Sequence, residues 1–279
     1  MYHVTLDGFR GYRSRFDDIR LVQEVLEGLP VILELQPTMP AFLLPYYNGV
    51  VPEDCGISAF VFLEGGHCTI HTFSFRETYF ADVVSPRAFD AERLYRHLQA
   101  AFPCAITAVS ALSRDGTPVE APEADPEADF GPHYFLDLMD YAGPAHLDEV
   151  FDLFDRLPGV IGMTPIMRPY VLRGRTADGR QHVSAMTMIA ESHLALHVFP
   201  GDRRAHFDLF SCRFFDHTAV IPRIRRELPG TIRGEALIAR GRRYRYLRMD
   251  GPGHTAQARA WVRVLPASAA AEEVGASSG

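Results

Sequence analysis

The chain contains two similar halves, and this repetition limits its fold more than any other feature. Residues 66–71 (GHCTIH) align with residues 192–197 (SHLALH), and Asp82 aligns with Asp208. Both alignments have the same offset of 126 residues (192 − 66 and 208 − 82), so few insertions are needed to match the halves. Self-similarity at a fixed offset indicates a duplicated structural unit. We therefore predict two similar halves whose sheets pack together around a pseudo-twofold axis.

The segment between the halves has a different composition. Residues 114–132 contain four prolines, two glycines and six acidic residues, with almost no large apolar side chain. This composition is typical of a linker. The predicted organisation is an N-terminal repeat over residues 1–113, the acidic linker over 114–132, and a C-terminal repeat over 133–265. A low-complexity tail over 266–279 is predicted to be disordered.

Each half contains the same order of predicted elements: strand, helix and strand, then a β-meander, then a helix and a closing strand. Residues 16–29 predict an amphipathic helix that Asp17 or Asp18 caps and Pro30 ends, followed by a short strand over residues 31–35. Strands in a meander with few helices predict the α+β class. The predicted architecture is two antiparallel sheets packed as an α/β/β/α sandwich.

Composition and charge exclude several classes of function. Hydrophobic residues make up 47% of the chain and charged residues 23%, as in an ordinary globular protein. The net charge of −7 provides no basic surface for nucleic acid or an anionic membrane. No apolar run approaches the roughly 18 residues of a membrane span, and the N-terminus lacks a signal-peptide pattern. We therefore expect a cytoplasmic protein with no nucleic-acid and no membrane partner.

Ser192 is the strongest candidate for a reactive residue. It follows a carboxylate, Glu191, and precedes His193 and His197, in a stretch that otherwise predicts buried strands. The two histidines, with His206 nearby, could instead bind a metal. However, the alternating apolar pattern predicts a strand, and no carboxylate or cysteine has a suitable spacing. We therefore predict no metal site.

Three motifs around Ser192 resemble the S-adenosylmethionine decarboxylase family. They are residues 191–197 (ESHLALH), the aromatic–proline pair at 199–200, and residues 208–212 (DLFSC). Cys212 follows Ser192 by 20 positions (212 − 192), which is the spacing in that family. The resemblance covers both halves, most strongly residues 182–216 and more weakly residues 53–90. In the first half, Gly66 and Pro86 replace the serine and the cysteine.

The resemblance implies a cofactor that the chain makes from itself. Ser192 would attack the carbonyl of Glu191, and β-elimination with loss of ammonia would leave a pyruvoyl group at position 192. The chain would be cut between Glu191 and Ser192. A ketone that condenses with the substrate amine accepts the electrons of decarboxylation, which no ordinary side chain can do.

The family's active site uses residues from both halves or both subunits. The resemblance implies that Cys212 handles the product proton, while Ser58 and His71 of the first half stabilise the intermediates of self-processing. Counting from Gly66 places these two residues eight before and five after it (66 − 8 and 66 + 5). Ser184 and His197, their equivalents in the second half, are secondary candidates that would face Gly66 in a degenerate site.

The predicted substrate-binding residues are Phe199, Asp137, Asp7 and Glu77. Phe199 keeps an aromatic residue of the family, and Asp7 and Asp137 match an acidic position near the start of each half. Where the family has an adenine-stacking Phe and a ribose-binding Glu, this chain has other residues, and Glu77 or Asp202 could replace that Glu. The position of that Phe is Pro52 in the first half and Asp178 in the second. The position of that Glu is Phe75 in the first half and Gly201 in the second.

The predicted function is therefore a self-processing decarboxylase of S-adenosylmethionine in polyamine (spermidine) biosynthesis. One alternative is a pyruvoyl-dependent ornithine or arginine decarboxylase, because the altered adenosine pocket would suit a basic amino acid. Another is an uncleaved, non-catalytic paralogue that binds a partner subunit. The expected partner is a small-molecule substrate, and the resemblance also allows a homodimer.

Overall fold

The fold is taken from a computed structural model of the chain. The structure describes residues 1–46, 55–114, 131–190, 192–212 and 215–241. The predicted cleavage residue Glu191, most of the predicted linker and the whole predicted tail lie outside the described residues. Within them, no helix is both long and apolar enough to cross a membrane.

In the first half, the described residues form six strands and three α-helices. They are β1 (Tyr2–Gly11), α1 (Arg13–Phe16), α2 (Ile19–Ile32), β2 (Phe42–Tyr46), β3 (Gly56–Leu63), β4 (Gly66–Phe73), β5 (Thr78–Ser85), α3 (Ala91–Ala101) and β6 (Cys104–Ser113). The strands form one antiparallel sheet in the order β2-β3-β4-β5-β1-β6.

The second half repeats this plan. Its elements are β7 (Gly131–Met139), α4 (Leu147–Val160), β8 (Tyr170–Arg175), β9 (Gln181–Ile189), β10 (Ser192–Phe199), β11 (Arg204–Phe210), α5 (His217–Glu227) and β12 (Thr231–Arg240). The sheet order is β8-β9-β10-β11-β7-β12, which is the order of the equivalent strands in the first sheet.

The two sheets pack face to face, with helices on the outer faces. Along β3, Ile57, Ala59 and Val61 pack with α2 and α3, because alternate side chains of a strand point to opposite faces. The intervening Phe60 and Phe62 pack against Met186 of the other sheet. The predicted α+β class and α/β/β/α sandwich are confirmed.

Two local predictions about α2 were wrong. Asp18 caps the helix as expected, with its side chain accepting from the Leu21 N–H, but the helix continues through Pro30 to Ile32. No strand forms over residues 31–35, since these residues complete the helix and its C-terminal turn. Pro30 is buried, so packing against the sheet outweighs the one backbone hydrogen bond that proline removes.

Candidate active site

Strands β4 and β10 lie opposite each other in the two sheets and run in opposite directions. His71 near the end of β4 hydrogen-bonds His193 near the start of β10, and His67 hydrogen-bonds His197 in the reverse sense. The sandwich therefore has two equivalent ends. The Ser192 end contains the start of β10 and the end of β4, and the Gly66 end contains the start of β4 and the end of β10.

Ser192 is the first residue of β10 and is fully buried. Its Oγ accepts a hydrogen bond of 2.6 Å from the backbone N–H of Cys212. Cys212 packs in an aromatic cluster that both sheets contribute to, formed by Phe9, Phe73, Phe80 and Phe210. The structure therefore brings together Ser192 and Cys212, two of the predicted catalytic residues.

Ser58 and His71 also lie together, and a third residue joins them. Ser58 Oγ lies 2.8 Å from His71 Nδ1, and His71 Nε2 lies 2.8 Å from His193 Nδ1. The two rings are nearly parallel, with 5.0 Å between their centroids, which places them edge to edge as an in-plane N–H···N bond requires. Within the described residues, neither Ser58 nor His71 hydrogen-bonds Ser192 directly. Instead His193, the residue after Ser192, connects them to its strand.

All three side chains are buried, and burial sets the charge of the imidazoles. Removal from water lowers the pKa of His71 to about 3 and holds the pKa of His193 well below its usual range. Both rings are therefore neutral near pH 7. A neutral imidazole has one N–H and one lone pair, so it can accept or relay a proton.

The Gly66 end repeats this arrangement without a nucleophile. Ser184 Oγ lies 2.8 Å from His197 Nδ1, and His197 Nε2 lies 2.8 Å from His67 Nδ1. Gly66 supplies no hydroxyl, and a Cβ atom built there would lie 2.0 Å from the carbonyl oxygen of Val84. The backbone at this end is therefore too close to its neighbour for a serine side chain.

The predicted substrate-binding residues divide between the two ends. Phe199 and Asp137 lie at the Gly66 end, where both line a cavity of about 220 Å³. Phe199 is therefore not beside Ser192, because the two residues stand at opposite ends of β10. Its counterpart Phe73 packs in the aromatic cluster with Cys212.

Asp7 and Glu77 lie at the Ser192 end instead. Asp7 pairs in register with Phe80, which pairs with His71. Glu77 follows the turn after Phe73, with a positive φ of 54°. Its carboxylate makes no hydrogen bond or ion pair within the described residues, whereas that of Asp7 is already paired.

Each half contributes one buried arginine that pairs with two aspartates of the other half. Arg240, at the end of β12, donates to Asp7 (2.6 Å) and to Asp82 (2.8 Å) of the first half. Arg114, which follows β6, donates to Asp137 (2.7 Å) and contacts Asp208 at 2.5 Å in the second half. Burial alone would raise the pKa of Asp82, but Arg240 and neighbouring imidazoles lower it well below its usual range.

Sequence reasoning missed these arginines and the contact between His193 and His71. A signal for the arginines was present, because Arg114 and Arg240 are separated by the repeat offset of 126 residues (240 − 114). His3, Asp82 and His133 also bring ligand atoms within 4.8 Å of one another. Both oxygens of Asp82, however, accept from Arg240, so this carboxylate is already neutralised.

Comparison with known proteins agrees with the duplication of the chain. A family model described as S-adenosylmethionine decarboxylase matches residues 2–115 and 133–236, which together form more than half of the chain. The chain belongs to the S-adenosylmethionine decarboxylase family. The family model matches once in each half, so the predicted family is confirmed, and its description names a decarboxylase.

Among solved structures, the adenosylmethionine decarboxylase from Aquifex aeolicus VF5 is similar, with 17% identity and a TM-score of 0.33. The aligned region covers 40% of this chain and 91% of the Aquifex chain. An unknown protein from Galdieria sulphuraria is 10% identical with a TM-score of 0.19, covering 81% of this chain and 89% of its own. No curated protein matches this sequence.

Proposed function

We propose that this chain is a self-processing, pyruvoyl-dependent decarboxylase of S-adenosylmethionine, acting in the cytoplasm in spermidine biosynthesis. The observation that carries the proposal is the composite Ser192 end. A buried serine at the start of a strand accepts a hydrogen bond from the backbone of Cys212, and a Ser58–His71 pair of the other half contacts the next residue along.

The proposed processing begins at Ser192 Oγ. This oxygen attacks the carbonyl carbon of Glu191, the C–N bond breaks, and the hydroxyl proton moves to the released nitrogen, which leaves an ester. Loss of the Cα proton of residue 192 with cleavage of the Cβ–Oγ bond then releases the carboxylate of Glu191. Water hydrolyses the resulting enamine, through its imine tautomer, to ammonia and a ketone.

The described residues suit each stage. The Cys212 N–H, 2.6 Å from Ser192 Oγ, orients this oxygen and stabilises it as it loses its proton before attack. His71 is neutral because burial lowers its pKa to about 3, so it has a lone pair that can take a proton. The pyruvoyl group would supply the electron sink for decarboxylation, with Cys212 placed to return a proton to the product.

The aromatic cluster at the Ser192 end supports the choice of substrate. Phe9 and Phe73 pack beside Cys212, and aromatic faces attract a cation such as a sulfonium. The rings of Phe80 and Phe210 in the same cluster already face the guanidinium of Arg240, at 5.4 and 4.5 Å. The unpaired carboxylate of Glu77 at the same end favours a second candidate, a basic amino acid such as ornithine or arginine.

The first experiment tests self-cleavage. Purified protein on a denaturing gel should separate into two fragments, and the Ser192→Ala variant should remain a single band at the full 31.2 kDa. His71→Ala should slow cleavage about a hundredfold or more, whereas His197→Ala, the matched change at the Gly66 end, should have little effect. An uncleaved wild-type chain would refute the proposal.

The second experiment tests the substrate. Release of carbon dioxide is measured in parallel from S-adenosylmethionine, ornithine and arginine. Release from S-adenosylmethionine alone supports the leading proposal, and release from a basic amino acid supports the second candidate. No release from any of them indicates a non-catalytic paralogue.

A further inference from the structure

The cavity at the Gly66 end has a surplus of positive charge, although the chain as a whole has a net charge of −7. Its lining contains four guanidinium groups and two carboxylates, which belong to Arg114, Arg180, Arg204, Arg233, Asp137 and Asp202. The lining imidazole of His206 adds no charge at pH 7, because burial lowers its pKa. A cavity of this kind attracts anions.

Two of the four arginines are already matched by carboxylates. Arg114 is bound by two aspartates, as described above. Arg180 donates to Asp178 at 2.8 Å and to Asp202 at 3.3 Å. Both carboxylates of the lining are thereby neutralised, so the surplus charge belongs to the other two arginines.

Arg204 and Arg233 have no acidic partner. Within the part of the chain that the structure describes, neither guanidinium makes a hydrogen bond or an ion pair. Arg204 is half-buried and lies beside Phe199 across the β10–β11 pair, whereas Arg233 is exposed at the irregularity in β12. A guanidinium group binds the oxygens of phosphate or carboxylate in pairs, and both groups are available for such a ligand.

The unmatched arginines are not a requirement of the repeated fold. At the repeat offset of 126 residues, Arg204 corresponds to Thr78 (204 − 126) and Arg233 to Thr107 (233 − 126). The same strands therefore form at the Ser192 end with a neutral side chain at each position. The two arginines distinguish the Gly66 end from its counterpart.

The size of the cavity limits the ligand. Its volume of about 220 Å³ lies below the roughly 300–1,000 Å³ of pockets that hold drug-sized molecules. Phe199, which is buried, and Leu138 give part of the lining an apolar surface. The space therefore suits a small anion with at most a short apolar group, and it excludes a nucleotide.

We propose that the Gly66 end binds a small dianion of the phosphate class, with Arg204 and Arg233 as its counter-ions and Phe199 beside it. Two unmatched positive charges balance the charge of about −1.5 to −2 that a phosphate group carries at pH 7. The ligand is either inorganic phosphate or a small phosphate ester. The site is separate from the Ser192 end and does not rest on the proposed function.

Calorimetric titration tests the proposal with two probes, inorganic phosphate and ethyl phosphate. The Ser192→Ala chain gives an uncleaved sample, and the ionic strength is held at about 0.15 M to screen non-specific attraction. We expect one site with a dissociation constant below about 1 mM. Tighter binding of ethyl phosphate indicates an ester as the ligand, and tighter binding of inorganic phosphate indicates the free ion. Absence of binding by both probes would overturn the proposal.

Matched variants locate the site. Arg204→Gln and Arg233→Gln should each weaken binding about tenfold or more, the usual cost of losing a hydrogen bond to a charged group. Arg20→Gln removes the same charge from an exposed position on α2 and should change binding less than about twofold, because salt screens distant charges. Equal weakening in all three variants would overturn the proposal. If Arg204→Gln failed to fold, the comparison of the exposed Arg233 with Arg20 would remain decisive.

Discussion

The free energy of unfolding of this protein should fall steeply as the pH is lowered. The contribution of one residue, His67, to this pH dependence can be measured separately. Burial lowers the pKa of His67 from an ordinary value of 6.5 to about 4. Between these two values the unfolded chain binds a proton at this residue and the folded chain does not. Unfolding is therefore favoured as pH falls, and the stability that neutral His67 contributes is complete only above pH 6.5.

The size of the effect follows from the shift. Each pH unit in this window removes about 1.4 kcal/mol of unfolding free energy per histidine. From pH 6.5 down to a pKa of about 4, His67 should therefore account for a loss of about 3 kcal/mol. His71 and His193 have pKa values lowered by the same burial and add their own proton uptake in the same direction.

The assay is urea unfolding from pH 4.5 to 7.5 in the Ser192→Ala background, comparing His67 with His67→Phe. The variant should be less stable near pH 7.5, since the His197 Nε2 atom loses its partner. Its free energy of unfolding should nevertheless depend less on pH, by about one bound proton between pH 4.5 and 6. Identical slopes for the two chains would refute the neutral, buried state of His67.

Two further changes test the packing of the halves. Gly66→Ser should not create a second cleavage site, because its Cβ would meet the Val84 carbonyl oxygen at 2.0 Å; a third fragment in the mass spectrum would contradict this. Arg240→Met should lower the unfolding free energy by about 3–5 kcal/mol in urea, since it leaves two buried carboxylates without their cation. The exposed Arg93→Met serves as control, and equal losses in the two variants would contradict the argument.

The sequence predicted those features that depend on repetition and strand periodicity. The offset of 126 residues identified Gly66 as the counterpart of Ser192, and the family resemblance then implied Ser58 and His71, which the structure places in one hydrogen-bonded pair. The sandwich followed from the strands and helices that apolar periodicity predicts in each half and from the duplication of that unit.

Features that depend on how the two sheets meet could not be predicted in this way. Phe199 was predicted to bind substrate because the family has an aromatic residue at this position, but the opposed strands bring Phe73 of the other half to the Ser192 end. The contact of His193 with His71 was overlooked, because it depends on which strands of the two sheets lie opposite each other. The end of α2 was predicted wrongly because proline usually ends a helix, whereas here α2 continues past Pro30, which is buried.

The exchanged arginines make each half the counter-ion of the other. Either half produced alone would have to bury two aspartates with no guanidinium to neutralise them, so it should remain expanded or bind protons until its partner arrives. The same feature should allow the two halves, made as separate polypeptides, to recognise each other and assemble as a heterodimer. The fold therefore requires both halves, but it does not require that a continuous chain connects them.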